Sequence, residues 1–170
     1  MKPHNSDLLF EACRLICVSF VFPRVPVRQW VLSLPYAVRY RLAYDAEMVT
    51  DILNIFTKTV FGSLIRRARE FGAARNAQCG AVTFIQRFDS ALRLNLHFHM
   101  GAIDGVFAAA DDDEPQFQAL LPPEDEEIER VTASIAERVR KFFERRGLGP
   151  DSDPEESDPA HIQNKRGVFG

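Results

Sequence analysis

Hydrophobic and polar residues alternate most regularly between Leu92 and Met100, which reads Leu-Arg-Leu-Asn-Leu-His-Phe-His-Met. Leu92, Leu94, Leu96, Phe98 and Met100 fall on one face; Arg93, Asn95, His97 and His99 fall on the other. A period of two predicts a half-buried β-strand. Arg28 to Leu34 repeats the pattern, with Trp30, Leu32 and Leu34 on one side. Cys79 to Phe88 is a third strand. Asp89-Ser90-Ala91 is short enough to join it to the histidine strand as an antiparallel hairpin. Asp104-Gly105 is a strong tight-turn signal, so the histidine strand is expected to turn straight back on itself.

Between the strands the period changes. Val49, Ile52, Phe56, Val60 and Leu64 recur near the helical repeat of about 3.6 and should face a sheet. Ile52, Phe56 and Val60 are expected to be nearly fully buried. Asp45 suits the N-cap of this helix and Gly72 its stop. Arg66, Arg67 and Arg69 in its last turns suit the helix dipole. A second long helix starts at Pro123, with Glu124 to Glu127 in its first turn and Gly147 at its end. Ile128, Val131, Ile135, Val139 and Phe142 form its apolar stripe. Pro35 opens a shorter helical turn that places Tyr36, Tyr40 and Tyr44 on one face. The order β-α-β-β-(β)-α predicts an α+β fold. Its antiparallel sheet is of the split βαβ kind, with two long helices on one face and the histidines on the other.

Composition adds limits. The chain has 170 residues, one domain's worth, and 46% of them are apolar, enough for a core. Leu8 to Phe22 is greasy, but Glu11 and Arg14 interrupt it and no small-residue cleavage site follows, which argues against a signal peptide. No uninterrupted apolar run is long enough to span a bilayer. Three cysteines, an odd number, suit a reducing cytoplasm. The net charge of −3 hides an asymmetry. Arg24 to Met100 holds eleven basic and five acidic residues; Gly101 to Ala160 holds six and seventeen. A basic half around the histidines is what a DNA-contacting surface needs, although ordinary solvated charge gives the same count.

The candidate chemistry sits on the histidine strand. Two imidazoles two residues apart on a strand can grip one metal ion. An isolated His-x-His pair is a weak motif, and a polar outer face explains it as well. Gln86 lies near enough to offer an oxygen, or simply to hydrogen-bond across the strands. Asp104 is a possible ligand that turn chemistry already accounts for. Asp111 to Glu114 lacks calcium-type spacing and reads as a solvated loop. Cys13 and Cys17, one helical turn apart, suit a packed amphipathic helix better than zinc.

Three segments in register carry a resemblance. They are Arg24-Val-Pro-Val-Arg-Gln-Trp-Val-Leu-Ser-Leu-Pro35, Gly80-Ala-Val-Thr-Phe-Ile-Gln-Arg-Phe88 and Leu94-Asn-Leu-His-Phe-His99. Together they resemble the rolling-circle transposases of bacterial insertion sequences, the His-hydrophobic-His (HUH) endonucleases with two catalytic tyrosines. The similarity runs from about Phe22 to Pro159. It implies a relaxase- or Rep-like nuclease that nicks the single-stranded DNA of insertion-sequence ends in the cytoplasm, away from any membrane. It also implies one divalent ion, Mg²⁺ or Mn²⁺, on His97 and His99, with Gln86 as a further candidate ligand. Arg87 and Arg93 are the first candidates for DNA contact, with Arg93 on the histidine face.

The chain departs from that family in three places. Residues 1–21 diverge where the family carries a cysteine-rich zinc module; the core fragment spans 22–147; 148–170 reads as an acidic disordered linker and an unrelated tail. The family's catalytic tyrosines follow the histidines, whereas here no tyrosine follows Tyr44. The expectation is a transposase disrupted at both ends, holding the metal half of the site without its nucleophile. Tyr36 and Tyr40 have the right mutual spacing but the wrong place, and aromatic packing accounts for them better. The alternatives are a nickase that uses Tyr36, Tyr40 or a tyrosine supplied in trans, and a non-catalytic DNA-binding or interaction module.

Overall fold

Val27 opens the first strand of an α+β fold. The computed structural model describes residues 24–89, 91–109, 114–148 and 161–167, with 36, 37 and 161–167 as backbone. The expected helix around Cys13 and Cys17, the acidic run 111–113 and the linker 149–159 lie outside the described residues. In chain order the elements are β1 (Val27–Ser33), α1 (Tyr36–Tyr44), α2 (Ala46–Glu70), β2 (Ala81–Phe88) and β3 (Leu94–Ile103). β4 (Gly105–Ala108), β5 (Gln116–Ala119), α3 (Asp125–Arg145) and β6 (His161–Gly167) follow.

The main sheet has the order β2-β3-β1-β6, and every neighbouring pair is antiparallel. β1 and β2 therefore run the same way, with the histidine strand β3 between them. Alternation decides the faces. Trp30, Leu32, Leu96, Phe98, Met100 and Ala102 are all buried on one side. There they join Ile52, Phe56 and Val60 of α2 and Val131, Ile135 and Val139 of α3 in one core. The expected burial of Ile52, Phe56 and Val60 is met, and Phe56 stands 6.4 Å from Phe98 between ring centroids. α2 has the length and hydropathy of a membrane span, but its apolar side is the side packed in this core.

Capping follows the local sequence. The Asp45 carboxylate accepts the Met48 N–H at 2.8 Å and starts α2. Gly72, at φ +85°, supplies the left-handed residue just beyond its end. The arginines at this end do more than complement the helix dipole. Arg67 is buried and donates to the Leu121 carbonyl; Arg66 binds Glu70 and Glu127. Glu127 also accepts from Ser63 and Arg130, so a single carboxylate stitches α3 to α2.

That stitch should make stability fall in acid. Burial pushes the Glu127 carboxyl up, but donation by Ser63 and Arg66 and the charges of Arg66 and Arg130 outweigh it and hold it below its ordinary value. A depressed carboxylate adds its full share above the unfolded-state value of about 4.3. The share is lost as pH falls through the lower folded value. Urea midpoints measured from pH 6 to 3 should therefore drop less in Glu127→Gln than in the unsubstituted chain. Equal drops would remove this role.

Two expectations fail here. The first is the turn at Asp104-Gly105. β4 does not fold back on β3; it pairs with β5, and Phe107 bridges to Gln78. Asp104 is fully buried and holds the buried Arg28 through both carboxylate oxygens, at 3.0 and 2.7 Å. Its N–H donates to the Pro26 carbonyl and its own carbonyl accepts from Leu120, so it joins three segments. The second is the start of the histidine strand. Pairing begins at Leu94, not Leu92, because Asp89 collects the N–H groups of Ala91 and Arg93 into a local turn. Leu92 then takes a left-handed φ of 59° and lies exposed rather than on the core face. Residues 161–167, for which the sequence suggested no element, pair along the whole of β1.

Candidate metal and nucleic-acid site

Directly opposed residues of antiparallel strands share a face. His97 lies opposite Ser33 on β1 and Gln86 on β2; His99 lies opposite Val31 and Phe84. Gln29, Val31, Ser33, Phe84 and Gln86 thus surround the two histidines on the side away from the core. Both histidines are half-buried, with ring centroids 4.7 Å apart and planes at 63°. The central strand position fixes their backbones on both sides.

The hydrogen bonds set the chemistry of each ring. Nδ1 of His97 lies 2.6 Å from the Asn95 carbonyl oxygen. A carbonyl only accepts, so Nδ1 carries the hydrogen and Nε2 of the neutral ring keeps its lone pair. Burial pulls the His97 pKa down and the Arg39 charge adds to that, against the Asn95 carbonyl and Asp89. A neutral ring oriented through Nδ1 is the form that binds metals. At His99, Nδ1 lies 3.1 Å from the Gln29 amide nitrogen. In that orientation Gln29 donates to Nδ1 and the ring hydrogen sits on Nε2. With the amide turned over, its oxygen accepts from Nδ1–H and the Nε2 lone pair becomes available.

The remaining sequence candidates divide. Gln86 holds the position opposite His97, but its amide donates to the Phe88 carbonyl at 3.1 Å, beside an irregularity in β2. Arg87 donates to the Ala43 carbonyl at 2.8 Å and ties β2 to α1. Arg93 is exposed, but it precedes the paired strand and binds Asp89, so it does not share the histidine face as expected. Tyr40 and Tyr44 pair as their spacing predicts, with centroids 5.1 Å apart. Both are exposed, at 67% and 78%, while Leu42 is the residue of that helix in the core. The Tyr36 side chain lies outside the description.

Sequence reasoning missed Gln29 and Asn95, which orient the rings, and Arg39, whose charge acts on His97. The signal for Gln29 was present in the polar alternate positions of β1, but nothing local matched them to the histidines. Burial pushes the Cys79 thiol up to about 11, so it is no ready thiolate ligand. Among the described residues no three His, Cys, Asp or Glu side chains converge. No known protein family, curated protein or solved structure matches the chain.

Proposed function

We propose that this chain is the metal-binding part of a rolling-circle transposase of the HUH type, acting in the cytoplasm on the single-stranded ends of an insertion sequence. The observation that carries this reading is the pair of half-buried imidazoles on the central strand, one of them locked in the ligand tautomer by Asn95. The donor set offers a divalent ion His97 Nε2 as it stands, whereas His99 Nε2 is buried and carries its lone pair only once the Gln29 amide turns. When bound, Mg²⁺ or Mn²⁺ polarises a scissile phosphate and offsets its developing charge. The chain's own part is to hold the two rings side by side on the central strand and to favour the neutral form of His97.

The nucleophile is a separate matter. Within residues 45–170 no tyrosine stands after the histidines, so none of these residues offers the family's attacking hydroxyl. DNA affinity should be modest, because Arg28, Arg66, Arg87 and Arg93 are engaged internally. One observation favours the nickase alternative: the Tyr40 and Tyr44 rings are exposed on α1, whose Arg39 acts on His97.

Incubation of the full chain with 5′- and 3′-labelled single-stranded DNA and Mn²⁺ tests the reading. Expected are weak binding that falls steeply between low and high salt, and no covalent protein–DNA species on a denaturing gel. An adduct that maps to Tyr36, Tyr40 or Tyr44 and disappears in His97→Ala would replace this reading by the nickase. Binding indifferent to salt would remove the DNA role.

A further inference from the structure

We infer that the outer edge of β2 is the docking surface for a second copy of this chain, which adds its own β2 antiparallel and merges the two sheets. The inference is independent of the metal and DNA reading.

The two edges of the sheet differ in chemistry. β2 and β6 are the edge strands. Proteins blunt a free edge with charge, especially lysine, or with proline. β6 carries Lys165 and Arg166 in its seven residues. From Asn76 to Gln86 there is no charged residue and no proline. Arg87, the first charge beyond, is turned back onto the Ala43 carbonyl. Among the described residues β2 has a strand on one side only.

Register selects the partner. The Ile103 N–H donates to the Gly80 carbonyl, so residue 80 faces β3. Facing alternates along an antiparallel ladder, and this one is unbroken from Ala81 to Gln86. Val82, Phe84 and Gln86 therefore turn their backbone groups to β3, while Ala81, Thr83 and Ile85 turn theirs outward. These three are symmetric about Thr83. A second β2 related by a two-fold axis at Thr83 sets Thr83 opposite Thr83, and Ala81 and Ile85 opposite the partner's Ile85 and Ala81. Three such pairs exchange two bonds each, about six in all. Centring the axis on another residue of this ladder engages fewer.

The side chains fit the same register. Ile85 lies opposite Phe98, on the core side, yet is 41% exposed. In the pair it covers the partner's Ala81, large against small, beside the Thr83 at the axis. Val82 meets the partner's Phe84 in the close, non-hydrogen-bonded positions. No charge faces a like charge. The contact is isologous, so it consumes both uncharged edges and closes at two chains. Two four-stranded sheets become one of eight. The axis is perpendicular to the sheet, so both histidine pairs lie on one side, with their strands three spacings, about 14 Å, apart.

The test is the mass of the full chain by sedimentation equilibrium over a range of concentrations. Two chains are expected. Proline is tolerated on an edge strand where its nitrogen faces outward, so Thr83→Pro should leave the β2–β3 ladder intact and remove the central pair of bonds. Its dissociation constant should rise by at least ~10-fold, and Ile85→Lys, at an exposed position, should also raise it. If Thr83→Pro fails to fold, Thr83→Cys decides: mild oxidation should join two chains through residue 83, since directly opposed Cα atoms about 5.5 Å apart suit a disulfide. A single-chain mass at every concentration overturns the inference, as does growth into open-ended assemblies. A dimer indifferent to both Thr83→Pro and Ile85→Lys, or cross-links that avoid residue 83, also overturns it and assigns the contact to another surface.

Discussion

Replacing Asp104 by alanine should cost about 3–5 kcal/mol of folding stability, the usual result of stripping one partner from a buried ion pair. Asp104 has no solvent exposure and Arg28 has 5%. The carboxylate meets Nε and Nη2 of the guanidinium side by side, a planar two-point contact that lysine would not reproduce. Alanine keeps the main-chain bonds of residue 104 to Pro26 and Leu120, so the loss belongs to the carboxylate. What it leaves is a buried arginine charge on β1 from which this carboxylate has been removed. The double change Arg28→Met with Asp104→Leu removes both charges and should recover most of the loss. Urea denaturation of the two variants checks this. A single-variant loss below about 1 kcal/mol, as exposed pairs give, would show that the pair is solvated.

The same residue shows where sequence patterns stop being informative. Asp-Gly reads as a hairpin turn because that dipeptide tolerates left-handed backbone. Here the glycine serves another need. A Cβ on Gly105 would lie 2.3 Å from the Gln118 carbonyl oxygen and 2.6 Å from the Phe117 ring. Close approach of β5 therefore demands glycine, and the aspartate is present to neutralise Arg28, which lies 76 residues earlier. A pairing across that distance leaves no local trace.

Short-range periodicity was far more legible. The alternation of Leu94, Leu96, Phe98 and Met100 fixes which face is buried, since each side of a strand repeats every second residue. The stripe of Ile52, Phe56 and Val60 marks the core face of α2 for the equivalent helical reason. The Asp45 cap and the Gly72 stop were likewise visible. The partners of the histidines were not. Gln29 is 70 residues from His99, and only the antiparallel register of β1 with β3 brings them together. β6 is the extreme case: an edge strand with five polar side chains among seven residues carries little apolar alternation, so its pairing with β1 is set by neighbours the sequence does not announce.

Mn²⁺ binding should disappear in the double variant His97→Ala with His99→Ala, falling by more than ~100-fold, while the far-ultraviolet spectrum is unchanged. Both rings lie on the face away from the core, so their loss opens no cavity among Leu96, Phe98 and Met100. Loss of binding with loss of fold would show instead that the rings are structural. Gln29 supplies a finer test, because its effect has a sign. Where the amide donates to His99 Nδ1, it keeps the ring hydrogen on Nε2 and blocks that atom as a ligand. In Gln29→Glu the carboxylate only accepts, so it holds the hydrogen on Nδ1 and frees Nε2. Carboxylate–histidine pairing also raises the basicity of the ligating nitrogen. Gln29→Glu should therefore tighten Mn²⁺ binding and Gln29→Ala should not, with an outer-shell effect of about 10- to 100-fold between them. A ligand role for His99 requires that order. Titration calorimetry that finds the two variants equal would mean that His99 does not bind the ion through Nε2. The pair would then be a polar sheet surface rather than a metal site.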